Sequence, residues 1–222
     1  MLAVLEYPPP EKFEAHISGV SVCLINQGKI AGGSYGTVYK VCNEKDDRVY
    51  AVKLLKTASS PEARIRFDQE IDLLKDLDHP NIVPIYGSGV LSDGRSWYVM
   101  AYAPKKTLGQ HLGKRECRRE SLELFLQLAD ALSYIHRKGI IHRDIKPDNC
   151  LMSADGTLLL SDFGLVKDIK HRADVTQDGR VLGTVNYMSP EQTSGDMELT
   201  CESDIFSAGI ILYQLVGGKW PF

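Results

Sequence analysis

Lys53 and Glu70 are ionisable residues at positions where the surrounding pattern calls for a core. Lys53 ends the strand-like run Val49-Tyr50-Ala51-Val52. A lone lysine in such a run ordinarily extends its stem to the surface. Glu70 shares one helix face with Phe67, Ile71 and Leu74, so it points inward. A buried carboxylate without a partner costs several kcal/mol. Pairing Lys53 with Glu70 satisfies both groups and requires a strand and a helix packed face to face. The same pairing holds the ammonium ready for a phosphate-bearing ligand.

The pattern around the pair is β-like from Val22 to Leu55, with Val38, Val41, Val49, Ala51 and Val52 in short runs broken at Asn43-Glu44-Lys45-Asp46-Asp47. Ser60-Pro61-Glu62 opens the helix of Glu70, and Asp78-His79-Pro80 closes it. Strands are predicted near Ile82–Ile85 and Trp97–Ala101, around the turn Ser92-Asp93-Gly94. The second half is helical in character. Leu122, Phe125, Ala129 and Leu132 predict a long amphipathic helix that stops at Lys138-Gly139. Short strands are expected at Cys150–Met152 and Leu158–Leu160, a polar loop over 165–188, and another helix from about Glu202. Residues 1–21, with Pro8-Pro9-Pro10, read as an extended leader. The domain proper is expected over 22–222, dividing at Tyr102-Ala103-Pro104 into parts 22–101 and 102–222.

Composition narrows the function classes. With 43% hydrophobic and 25% charged residues, the chain reads as globular. A formal net charge of −3 supplies no basic field for nucleic acid or an anionic membrane. The longest apolar stretch, Ile205 to Val216, is interrupted by Ser207, Gly209 and Gln214, and a membrane span needs roughly 20 residues. Cys23, Cys42, Cys117, Cys150 and Cys201 stand singly, without zinc-like spacing, which favours a cytoplasmic location.

Ile30-Ala31-Gly32-Gly33-Ser34-Tyr35-Gly36-Thr37-Val38 lies between two strand-like runs. Its glycines let backbone N–H groups approach phosphates closely. No helix follows directly and no Gly-Lys-Ser/Thr is present, which argues against dinucleotide-binding and Walker-type sites. Further on, the polar run His142-Arg143-Asp144-Ile145-Lys146-Pro147-Asp148-Asn149 is set between apolar segments, and Asp162-Phe163-Gly164 follows an apolar strand.

With these motifs in this order, residues 22–222 resemble the protein kinase family, in its serine/threonine branch and in the style of bacterial members. The resemblance implies a two-lobed α+β fold, a mostly β N-lobe with one helix and a mostly α C-lobe, with ATP in the cleft. Asp144 would accept the proton of the substrate hydroxyl, Lys146 would stabilise the transferring phosphoryl group, and Lys53 with Glu70 would hold phosphates. Asn149 and Asp162 would ligate magnesium, with manganese as a substitute. Met100 falls at the gatekeeper position. Backbone of Ala101 and Ala103 would meet the adenine, and Val38, Ala51 and Leu151 would sandwich it. Lys146 and the Gly183-Thr184 step imply a protein Ser/Thr substrate, with Thr184 bridging Asp144 and Lys146.

The segment from Asp162 to Ser189-Pro190-Glu191 corresponds to the activation segment. Arg66, Arg143 and Lys167 converge by that correspondence, and a phosphorylated Thr176 would supply an anion for them. Autophosphorylation there implies a dimer as a partner state. Ala31 departs from the family's first loop glycine and Ala101 from a common hinge glutamate. The resemblance stops at Phe222, just after the helix that follows the activation segment. An incomplete C-lobe with exposed apolar surface, and Glu191 without its customary arginine, are therefore expected. The rival reading is a nucleotide-binding pseudokinase or scaffold, inactive through loss of those C-terminal helices. Retention of Lys53, Asp144 and Asp162 favours an enzyme. The Gly183-Thr184 to Glu191 segment favours a protein over a small-molecule substrate.

Overall fold

The structure, a computed structural model, describes residues 8–32, 36–56, 61–105, 107–110, 112, 118–163, 185–194 and 199–221. The chain divides into two compact units, Met1–Asp78 with Val83–Tyr102, and His79–Ile82 with Ala103–Phe222.

The first unit is an antiparallel sheet with one helix. Its strands are β1 (Lys12–Ile17), β2 (Val20–Gly32), β3 (Gly36–Asn43), β4 (Val49–Leu55), β5 (Ile85–Val90) and β6 (Ser96–Ala101). They lie in the order β1-β2-β3-β4-β6-β5. Strand β1 corrects the expectation of a leader. Phe13, Ala15 and Ile17 alternate with exposed residues, and Ile17 pairs with Val20 across Ser18-Gly19. Both turn residues have positive φ (49° and 81°), the conformation that a two-residue hairpin loop needs. The three prolines end just before β1 and place no restriction on the strand itself.

The outer strands β1 and β5 approach each other. Ser18 N–H donates to the Tyr86 carbonyl at 3.1 Å, and a Cβ at Gly87 would lie 2.0 Å from the His16 carbonyl oxygen. The sheet therefore curls around a core of Ala15, Ile17, Leu24, Tyr39, Val41, Val52, Leu54, Trp97 and Val99. Phe13 meets Trp97 edge-on, with ring centroids 5.5 Å apart. On the other face, helix α1 (Pro61–Lys75) buries Phe67, Ile71 and Leu74. The neighbouring strand β6 is buried along nearly its whole length, as a strand covered on both faces must be.

In the second unit, helix α2 (Arg118–Arg137) packs with helix α4 (Cys201–Gly217). Between them in sequence come the hairpin β7 (Cys150–Met152) and β8 (Leu158–Leu160) and the short helix α3 (Pro190–Ser194). The predicted α2 stripe is displaced by part of a turn. Leu128, Ala131, Leu132 and Ile135 are buried, Phe125 and Ala129 are half-buried, and Leu122 is exposed. The strand expected near Ile82–Ile85 begins only at Ile85. Ile82 instead bridges Leu160, while Leu160 N–H donates to Asn81 O at 2.8 Å. Asn81 Nδ2 also donates to Leu158 O and to Gln127 Oε1, fastening this short stretch to β8 and α2. Ile205, Tyr213 and Val216 of α4 are exposed. Among the described residues no helix is long and apolar enough to cross a membrane.

The close approach of β1 and β5 generates a test. Gly87→Ala forces a methyl into the His16 carbonyl and is expected to cost about 1–3 kcal/mol of stability, the usual range for overpacking. Urea unfolding followed by Trp97 fluorescence measures it, and an unshifted midpoint would mean that the sheet does not close there.

Candidate functional site

In the first unit, Lys53 and Glu70 form the pair the pattern demands. Lys53 Nζ lies 2.9 Å from Glu70 Oε1, with side-chain exposures of 12% and 1%. Desolvation of each charge is offset only by such a contact and by further hydrogen bonds. The β3–β4 register sets Val38 opposite Lys53, and the β4–β6 register sets Ala51 opposite Met100. Ala31 and Gly32 pair with Val38 and Thr37 at the loop end of the β2–β3 hairpin, and Ile30 beside them is exposed. Gly33, Ser34 and Tyr35 lie outside the described residues. Gly36 faces the backbone closely, since a Cβ there would be 3.0 Å from the Leu54 carbonyl oxygen. Ala101 N–H donates to Pro84 O at 3.2 Å, which removes that N–H from the groups able to meet a base.

In the second unit, the polar run 142–149 forms a tight cluster. Asn149 Nδ2 donates to the Asp144 carbonyl at 2.8 Å and to Asp144 Oδ2 at 2.7 Å. Lys146 Nζ lies 3.1 Å from the same Oδ2. Asp144 is thus a nearly buried carboxylate held by a cation and an amide. With its amide protons engaged, Asn149 keeps Oδ1 for a cation or donor. Ser161 N–H and Oγ both bond to the Asn149 carbonyl, at 2.9 and 3.1 Å, so Asp162 follows directly from a residue tied to Asn149. Asp162 and Arg143 both hold positive φ, 57° and 67°, a conformation costly for residues with a Cβ.

His142 explains how these turns are fixed. Its Nδ1 accepts the Asp144 N–H at 3.3 Å, which leaves the ring proton on Nε2 for the Ser161 carbonyl at 3.1 Å. Its ring packs at a tilt against Phe163, with centroids 4.6 Å apart. Leu151 belongs to β7 and bridges Thr107, and Ala103 opens this unit's main segment.

Asp204 was not singled out by the sequence reading, and it carries the loop. Its Oδ2 accepts the His142 N–H and meets His136 Nε2, both at 2.8 Å, while Oδ1 accepts the Arg143 N–H at 2.8 Å. The available signal was an acid on the otherwise apolar helix that begins near Glu202. Gln192 was also missed. It donates from Nε2 to the Arg143 carbonyl at 3.0 Å and accepts the Ser189 N–H through Oε1 at 3.1 Å, tying α3 to the loop. Glu191 accepts a hydrogen bond from Ser203 Oγ, which holds its carboxyl below the usual range. Lys167, Thr176 and Thr184 lie outside the described residues, as does the side chain of Arg66.

Residues 24–222 match the family described as the protein kinase domain. Among curated proteins, the chain is 36% identical over 197 residues to the serine/threonine-protein kinase PrkC of Bacillus subtilis, covering 87% of this chain and 30% of that protein. It is 36% identical over 180 residues to the probable serine/threonine-protein kinase PknB of Lactococcus lactis, covering 79% of this chain and 28% of that protein. It is 36% identical over 204 residues to PknA of Mycobacterium tuberculosis, a serine/threonine-protein kinase, covering 88% of this chain and 47% of that protein. The chain thus spans between about a quarter and a half of the length of these relatives.

Two measurements check the local architecture. Asp204→Ala removes the acceptor of His142, Arg143 and His136 at once and is expected to cost about 3–5 kcal/mol, as breaking a buried charged contact does. Denaturant unfolding reads this loss; a cost below about 1 kcal/mol, the worth of one neutral hydrogen bond, would remove Asp204 from its supporting role. Burial pushes the Cys150 thiol up to about 12, so it stays protonated at pH 8 and resists iodoacetamide in the folded protein. Peptide mass mapping before and after unfolding shows whether Cys150 is labelled only in the unfolded chain.

Proposed function

This chain belongs to the protein kinase family, and on that premise we propose that it is a serine/threonine protein kinase using Mg-ATP. The observation that carries the proposal is the Asp144 carboxylate, nearly buried and held by Lys146 at 3.1 Å and Asn149 at 2.7 Å. A carboxylate fixed in this way can orient a hydroxyl and take its proton as the bond to phosphorus forms. The substrate oxygen attacks the γ-phosphorus, the bond from that phosphorus to the bridging oxygen of ADP breaks, and the hydroxyl proton passes to Asp144. Lys146, already beside Asp144, offsets negative charge on the transferring group. Lys53, kept in place by Glu70, contributes a cation for the nucleotide phosphates.

The donor set suits magnesium. Asn149 Oδ1 and the Asp162 carboxylate are hard oxygen ligands, and Ser161 ties the backbones that carry them. When held there, the ion supplies charge neutralisation at phosphate oxygens. In the first unit, Val38, Ala51 and Met100 supply apolar surface for the adenine, with the Ala101 carbonyl for its polar edge. Specificity for Ser/Thr proteins is supported by Lys146, by the Gly183-Thr184 step and by the relatives' names. Regulation rests on Thr176 phosphorylation in trans, answered by Arg66, Arg143 and Lys167, and the setting is cytoplasmic.

The test is transfer of radiolabel from γ-labelled ATP to a Ser/Thr protein substrate and to the chain itself. Asp144→Ala is expected to lower the rate by about 10²–10⁴-fold, the range for losing a positioned acid–base group. Equal rates for the two proteins would remove the proposal. Phosphopeptide mapping with Thr176→Ala then reads the regulatory part, which fails if Thr176 is never modified.

A further inference from the structure

Tyr98 stands beside the Lys53–Glu70 pair, and nothing in the motifs calls for a tyrosine there. It lies on β6 directly opposite Lys53 in the β4–β6 register. The residue is 1% exposed. The Tyr98 hydroxyl donates to Glu70 Oε1 at 3.1 Å, the same oxygen that Lys53 Nζ meets at 2.9 Å. The Tyr98 ring is also in reach of the ammonium, with its centroid 5.5 Å from Lys53 Nζ. Phe67 of α1 completes the setting, 5.8 Å from the same ammonium and 5.5 Å from the Tyr98 ring.

These contacts have unequal persistence. A lysine ammonium on a flexible four-carbon stem can be drawn toward arriving phosphate oxygens. A phenol on a buried strand cannot follow, because its ring is packed against Phe67 and its backbone is paired with β4. A phenylalanine would fill the same volume, so the hydroxyl is the part with a specific task. Hydrogen bonds to charged groups contribute more than neutral ones, and Glu70 is fully buried.

We propose that Tyr98 is a positioning residue that holds the Glu70 carboxylate turned inward, and with it helix α1, independently of how far Lys53 is engaged by nucleotide. It acts through Glu70 and not on the reacting atoms. Its catalytic consequence rests on the kinase reading above, whereas its effect on α1 does not.

The experiment compares the full chain with Tyr98→Phe, Glu70→Gln and the double variant. Hydrogen–deuterium exchange reads α1, and steady-state kinetics separate kcat from the KM for ATP. In Tyr98→Phe, exchange in the peptides of α1 is expected to speed up by about tenfold, and kcat/KM to fall by about tenfold, the worth of one hydrogen bond to a charged group. In the Glu70→Gln background the same substitution should change both by less than about twofold, since the charged acceptor is gone. Unchanged α1 exchange in Tyr98→Phe overturns the proposal. An equal effect in both backgrounds overturns it too, because the hydroxyl would then act through packing alone. A wild-type chain without phosphotransfer would sink the kinase reading, and the exchange data would still decide the role of Tyr98.

Discussion

The second unit depends on one buried carboxylate. Asp204 accepts the N–H groups of both His142 and Arg143 and meets His136. That contact holds Arg143 at a positive φ, a conformation that a non-glycine residue adopts only when its surroundings compensate. Once Arg143 is turned, Asp144 follows in the orientation that lets Asn149 and Lys146 close on it. His142 then carries the order onward to Ser161 and Phe163. The chain of contacts runs from a helix through a strained turn to a carboxylate, and each link is a hydrogen bond or a packed ring. Charge in a low-dielectric interior is screened less than in water, which is how a single acid holds two backbone N–H groups and an imidazole together.

The first unit solves the same problem by different means. Its sheet could have ended in exposed edges at β1 and β5, which invite pairing with other chains. Instead the two edges meet at Ser18 and Tyr86, and Gly87 makes room for the His16 carbonyl. The core inside the curl, from Ala15 to Val99, stiffens the strands that carry Lys53 and Tyr98. The family match begins at residue 24, so β1 lies ahead of it. The β4–β6 pair beside α1 is what holds a largely buried lysine against a buried glutamate.

Several features were readable from local pattern alone. The β7–β8 hairpin came out at the short strands predicted over Cys150–Met152 and Leu158–Leu160, and α1 began at Pro61. The Lys53–Glu70 pair followed from two charges on apolar faces. Other features were misread for physical reasons. Leu122 fits a helical stripe by spacing, but the face that α2 presents is set by its packing partners, and Leu122 lies outside that face. Ile82 belongs to an apolar run with Val83 and Ile85, yet its partner is Leu160, and no local signal announces so distant a partner. The hairpin at Ser18-Gly19 was legible in principle, and the prolines ahead of it obscured the reading.

By itself, the sequence determined which chemical groups the protein has to work with: a strand lysine, an inward glutamate, and the acids and amide of the 142–149 and 162–164 motifs. Those depend on residue type and short spacing, which act over a few residues of chain. Tertiary structure decided which groups hold them. Asp204 reaches His142 and Arg143 across 62 and 61 residues, and Tyr98 reaches Glu70 across 28. A hydrogen bond needs its two atoms within about 3 Å, and over such separations only the folded chain can bring them there.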